Sequence, residues 1–193
     1  MHLFSYATED SVLYEASSSN NFGLDEILEI RKDVDAAGVT VDVSRVLINF
    51  NLTHMSESIY AAGAGSSAKY YLNLYDAGSD NLSTSQTLYA YPVSQSWQMG
   101  RGKKVYDPSV TEGVSWAYRS GKNEELFWAG GTKDIGGTWY SGSGFEASQT
   151  FSHTDTELDM RMDVTDIVNK WLGGTIPNNG FIIKRSGSMG NDN

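Results

Sequence analysis

Apolar and polar residues alternate along several short stretches of the chain, which is the pattern of half-buried β-strands. The clearest run is Arg45–Leu52, whose alternate positions place four apolar side chains on one face: Val46, Ile48, Phe50 and Leu52. Comparable runs predict further strands at 12–14, 69–75, 88–93, 158–164 and 180–185. Because proline cannot donate a ladder hydrogen bond, Pro92 confines its run to an edge or a strand end.

One short stretch has the spacing of a helix instead. Its apolar residues recur at intervals of three and one, which gives a single apolar stripe: Val164, Ile167, Val168, Trp171 and Leu172. Asp163 or Thr165 can cap the start of this helix, and Gly173 and Gly174 can end it. The pattern therefore predicts an all-β sandwich with one short helix at about 165–172, plugging one end.

The stretch from Trp97 to about Phe151 combines tryptophans with repeated glycine breaks. Such a composition predicts long Trp/Gly-rich loops that aromatic anchors pin to the sandwich. Trp116 lies in a strand-like alternation and Trp171 lies on the helix stripe, so both are predicted to be core residues. The other aromatic residues of these loops, which we consider as contacts to a partner or to a sugar ring, are Trp97, Trp128, Trp139 and Tyr140. For the tryptophans among them, packing or protein contact is favoured over sugar binding.

Composition narrows the classes of function. With 193 residues, the chain is long enough for one well-buried core, and we expect residues 1–193 to form a single domain. A net charge of −10 opposes attraction to a nucleic-acid backbone. The basic residues Arg101, Lys103 and Lys104 are interpreted as a solvated turn or an ion-pairing contact. The absence of cysteine excludes disulfides and thiolate metal sites.

The amino terminus and the hydropathy of the chain indicate whether it carries a signal peptide or a membrane span. The amino terminus lacks a basic region followed by a long apolar segment, and no stretch approaches the length of a membrane span. We therefore expect no signal peptide, no membrane partner and synthesis in a cytoplasm.

No catalytic motif is visible in the sequence, and we predict that the protein is not an enzyme and carries no cofactor. His2, His54 and His153 are isolated in sequence and are interpreted as surface residues. Asp155, Glu157 and Asp159 alternate, so they would share one strand face and could hold a structural Ca²⁺ ion. A solvated face is the favoured interpretation, because no ligand loop with a tight glycine accompanies them.

Six motifs in this order resemble those of the DNRLRE-type domain: Ser11–Glu15, Asn21–Gly23, Ser44–Phe50, Val114–Trp116, Met162–Val168 with Trp171, and Asn179–Lys184. That family is a jelly-roll β-sandwich related to carbohydrate-binding modules, and it occurs in polysaccharide-associated proteins and in virion proteins of tailed phages. A narrower resemblance, to structural proteins of marine tailed phages, is carried by 93–100, 113–119 and 137–140.

The resemblance implies a jelly-roll fold and a non-enzymatic structural protein of a phage virion, made in the host cytoplasm. Its implied partners are other virion proteins and further copies of the chain. The alternative is a carbohydrate-binding module, and a polysaccharide-cleaving enzyme also stays open. The family pattern usually continues past the strand at 180–185, so we expect a truncated carboxyl terminus in preference to a strand supplied by a neighbour.

Overall fold

The computed structural model describes residues 2–53, 55, 57, 67–78, 85–124, 126–129, 135–152 and 159–185. Within them the chain forms eight strands and the helix α1, in the following order. The elements are β1 (Glu9–Tyr14), β2 (Lys32–Val34), β3 (Thr40–Asn49), β4 (Tyr71–Leu74), β5 (Gln86–Pro92), β6 (Ala147–Phe151), β7 (Met160–Asp163), α1 (Thr165–Leu172) and β8 (Phe181–Lys184).

The strands form a large sheet and a small one, and every pairing is antiparallel. The large sheet has the order β1-β3-β8-β5-β6, with β2 paired to the free end of β3, and β4 pairs with β7 in the small sheet. Together with α1, this arrangement confirms the predicted all-β, sandwich-like class. The jelly-roll strand order stays a prediction.

The main core lies on one face of the large sheet, and the small sheet and α1 also contribute to it. We call it the inner cluster; it includes Val46 and Ile48 from β3, Leu72 from β4, Met162 from β7 and Trp171 from α1. Phe50 and Leu52 pack against this cluster, so the face predicted from alternation is correct. The strand itself runs over Thr40–Asn49 and not over 45–52.

The helix occupies the bounds that its apolar spacing predicts. The Asp163 carboxylate accepts a hydrogen bond from the Thr165 backbone N–H at 2.9 Å, just before the first turn. At the other end, the Gly173 N–H donates to the Asn169 carbonyl, and Gly174 adopts a φ of +69° that favours glycine. The buried side of α1 packs into the inner cluster, where the Trp171 ring lies 4.7 Å from that of Phe181.

The opposite face of the large sheet is also covered. The described residues between 93 and 139, which we call the loop layer, lie over it and have little regular structure. A second group of buried residues, the outer cluster, joins the loop layer to the sheet. It includes Leu47 of β3, Ile182 of β8 and all four tryptophans of the loop layer. Since both faces of β3 are buried, its central residues are excluded from solvent on every side.

Asn21 holds the loop layer to the segment that follows β1. Its buried amide donates to the Met99 and Val114 carbonyls at 2.7 Å each, and its carbonyl oxygen accepts from the Gly102 N–H at 2.7 Å and, more weakly, from the Gly23 N–H. A Cβ atom on Gly102 would lie 2.0 Å from the backbone carbonyl oxygen of Asn21, so this close approach requires glycine. One amide therefore satisfies four backbone groups that the loops leave without ladder partners.

Two of the three clustered basic residues form ion pairs, as expected for an ion-pairing contact. Lys103 pairs with Glu26, and Lys104 lies 3.1 Å from Glu29. The third, Arg101, is exposed. Both ion pairs join the loop layer to the segment before β2.

No helix in the described parts of the chain has the length and apolar character needed to cross a bilayer.

Candidate interaction site

The tryptophans considered as contact residues lie inside the protein. Trp128 is fully buried, and Trp97 and Trp139 are no more than 8% exposed. The indole N–H of Trp97 donates to the Asn179 carbonyl at 2.8 Å, and that of Trp128 donates to the Ser115 carbonyl at 3.0 Å. In this conformation their ring faces are covered by protein, so they connect loops to the sheet and do not form an open platform.

Tyr140 is separated from the three tryptophans. It is half-buried, packs against the inner cluster, and its ring stacks on that of Phe145 at 5.7 Å. Trp139, directly before it in the chain, belongs to the outer cluster on the other side of the sheet. The four residues that the sequence analysis grouped therefore do not converge on one surface.

Two tryptophans of the loop layer lie against buried cations of the large sheet. Arg45 of β3 donates to the Ile135 and Gly136 carbonyls at 2.7 and 2.8 Å, and its guanidinium lies 4.5 Å from the Trp116 ring centroid. The Lys184 ammonium lies 4.9 Å from the Trp139 ring. Backbone carbonyls and aromatic faces thus compensate two charges that would otherwise be costly to bury. The burial of Trp116 confirms its prediction as a core residue, whereas the sequence did not indicate the contact between Trp139 and Lys184.

The carboxylates considered for Ca²⁺ are only partly described. Asp155 and Glu157 lie outside the described residues. Asp159 is exposed, and its carboxylate accepts a hydrogen bond from the Asp76 backbone N–H at 2.9 Å. No group of three or more potential metal ligands occurs among the residues that the structure places. The Ca²⁺ site therefore stays a prediction.

Exposed aromatic residues cluster elsewhere, around a cavity of about 650 Å³ at the helix end of the molecule. Tyr71 and Tyr75 of the β4 segment line one side, and Phe4 of the amino-terminal segment lines the cavity as well. Tyr75 and Phe4 are each 81% exposed. The floor includes Trp171 and Phe181 of the inner cluster. This size lies within the range of about 300–1,000 Å³ that is typical of small-ligand sites.

Positive charge borders this cavity. The Arg161 guanidinium of β7 stacks 3.8 Å from the Tyr71 ring centroid, across the strand pairing between β4 and β7. Lys69 also lines the cavity. Hydrogen bonds from Thr165 lower the pKa of nearby Asp163, and the charges of Lys69 and Arg161 lower it further. The site therefore combines exposed rings with two cations that act on the same face.

The sequence pattern predicts the strand β4 but not this site. Alternation over 69–75 predicted β4, and the same alternation places Tyr71, Asn73 and Tyr75 on the side opposite to buried Leu72. The partner residue, Arg161, comes from a strand 88 positions later in the chain, and only the register Asn73↔Arg161 brings it here. The alternation therefore predicts the outward position of Tyr71 and Tyr75, but it does not predict that Arg161 lies beside them.

The sequence matches no protein-family model and no curated protein. The resemblance to the DNRLRE-type domain therefore stays a prediction based on its motifs.

Proposed function

We propose that the protein is a non-enzymatic structural component of a tailed-phage virion, with a jelly-roll fold, that acts through contacts with other virion proteins and with copies of itself. The structural observation that supports this proposal is an exposed apolar surface on the hairpin formed by β2 and β3. Its valines Val34, Val39 and Val41 are each more than half exposed. Apolar side chains held outward on a defined element are a usual feature of protein contact surfaces.

The hairpin turn is held in a fixed shape. The Asp35 carboxylate accepts hydrogen bonds from the Ala37 and Val39 backbone N–H groups at 2.9 Å each, and the Asp35 N–H donates to the Val39 carbonyl. A preorganised hairpin loses little conformational entropy when it docks. The valines are therefore presented on a defined hairpin, as a protein contact requires.

The phage assignment is supported by the order of the six motifs and by the narrower resemblance over 93–100, 113–119 and 137–140. We propose the virion as its location, with neither nucleic acid nor membrane as a partner. The net charge of −10 supports the first of these exclusions, because it opposes binding to a polyanion.

A carbohydrate-binding module is the second candidate function. It is favoured by the exposed rings and cations at the cavity, because aromatic faces and guanidinium groups are suited to sugar rings and their polar substituents. In that case Tyr71 and Tyr75 would provide the rings, in place of the tryptophans considered from the sequence.

The virion proposal is tested by counting this polypeptide in purified particles with quantitative mass spectrometry. We expect a fixed copy number: six or twelve for a tail or neck ring, a multiple of about three for a fibre, or hundreds for a capsid decoration. Absence from particles whose other structural proteins are detected would contradict the proposal. A non-integral, preparation-dependent amount that washes away in salt would contradict it as well.

A further inference from the structure

We propose that the outward face of the β4–β7 sheet, together with the adjoining cavity, binds an acidic sugar chain, with Arg161 contacting a sugar carboxylate and Tyr75 supporting a sugar ring. The inference rests on the carbohydrate-binding alternative, and it is independent of the virion proposal, which the particle count tests separately.

Arg161 is arranged as an anion-binding group. Its guanidinium is held against the Tyr71 ring at 3.8 Å, which fixes its plane. Among the described residues this guanidinium makes no hydrogen bond and no ion pair, and its N–H groups are therefore available to a ligand. A planar guanidinium with free donors matches a carboxylate through two parallel hydrogen bonds.

The charges around the cavity favour a negative ligand. The described lining includes Lys69 and Arg161, together with His2, and it contains no Asp or Glu. On the outward face itself, the exposed carboxylates Asp159 and Asp163 lie on either side of Arg161 in the chain, and each already accepts a hydrogen bond from a backbone N–H, that of Asp76 and of Thr165 respectively. Lys69 and Arg161 nevertheless give the described lining of the cavity a positive charge, in contrast to the net charge of −10 for the chain. This charge favours an anionic group of the ligand at the cavity.

The exposed rings favour a sugar over a simple anion. Tyr71, Asn73 and Tyr75 follow one outward line, with alternate residues about 7 Å apart. The Tyr75 ring is 81% exposed, so its face is open to the C–H groups of a pyranose, while the Asn73 amide between the tyrosines can bond a hydroxyl. Phe4 adds an exposed apolar wall. The line of side chains matches the alternation of apolar and polar surface along a sugar chain.

Isothermal titration calorimetry with a hexamer of galacturonic acid tests this assignment at an ionic strength of about 0.15 M, because salt at this concentration screens the long-range repulsion between a polyanion and the negatively charged chain. The wild-type protein is expected to bind the hexamer at least tenfold more tightly than a neutral glucose hexamer or a glutamate hexapeptide. Arg161→Gln and Tyr75→Ala should each weaken binding at least tenfold. Both side chains are exposed, so the thermal midpoint should stay within a few degrees.

Matched controls are Arg101→Gln and Tyr106→Ala, which change an exposed arginine and an exposed tyrosine of the loop layer. Neither should alter the affinity. Failure of the wild-type protein to bind the acidic hexamer at millimolar concentration would overturn the proposal. Equal binding of the glutamate peptide, or equal losses in the control variants, would overturn it too, because the attraction would then be to charge alone.

Discussion

Replacing Trp128 with alanine should lower the free energy of unfolding by about 4 kcal/mol, the range seen when a large buried aromatic side chain is removed. Trp128 is fully buried in the outer cluster, and its indole N–H donates to the Ser115 carbonyl at 3.0 Å. The substitution therefore opens a cavity and leaves a buried carbonyl without its donor. Urea unfolding followed by circular dichroism measures the loss.

Trp128→Phe separates the two contributions. Phenylalanine retains much of the apolar volume but not the N–H donor. Trp128→Phe should therefore lower the free energy of unfolding, but by less than Trp128→Ala does. Tyr106→Ala, at an exposed position of the loop layer, should change stability by less than about 0.5 kcal/mol. A loss below about 1 kcal/mol for Trp128→Ala would contradict the packing of the loop layer against the sheet.

Replacing Asn21 with aspartate should lower the free energy of unfolding by about 3 kcal/mol at pH 7, although the side chain keeps its size. The amide donates to the Met99 and Val114 carbonyls, and aspartate would place oxygen lone pairs opposite these acceptors. The site is buried, so the new carboxylate would also be desolvated without a cation. The penalty should shrink as the pH falls below about 5, because a protonated carboxyl can donate one hydrogen bond.

Asn20→Asp is the matched control, since the neighbouring residue is only partly buried. It should leave the midpoint of unfolding nearly unchanged at every pH. If Asn21→Asp were as mild as this control, the amide would not be the group that fixes the loop layer. Hydrogen exchange of the Gly102 N–H, which donates to Asn21, reports directly on the same contact.

The elements that the sequence predicted well are those in which short-range spacing determines burial. The helix at 165–172 and the strands near 12–14, 88–93 and 180–185 all appear. The helix buries its apolar stripe in the inner cluster, and the strands bury apolar positions in both clusters. Pro92 ends β5, as its missing donor requires. The hairpin of β2 and β3 was not predicted. Its valines are exposed, so the apolar positions of this segment do not mark a buried face from which a strand could be predicted.

The candidate site could not be predicted in the same way. Trp139 is one of the loop residues considered as a contact to a partner or a sugar, but it packs on the sheet beside Arg45 and Lys184. Trp116, which is predicted to be a core residue, is buried beside Arg45 as expected. Those two cations come from β3 and β8, far from the loops in sequence. Likewise, Arg161 reaches Tyr71 only through the pairing of β4 with β7. Both results depend on long-range register, which local patterns do not encode.

The functional account depends on one division among the aromatic residues: the tryptophans build the interior, whereas Phe4, Tyr6 and Tyr75 face solvent. Hydroxyl-radical footprinting read by mass spectrometry measures this division residue by residue in the intact protein. We expect strong oxidation at those three exposed residues and protection at Trp97, Trp116, Trp128, Trp139 and Trp171. Oxidation of Trp97, Trp128 and Trp139 to the extent seen at Tyr75 would contradict the account and return these tryptophans to the contact surface.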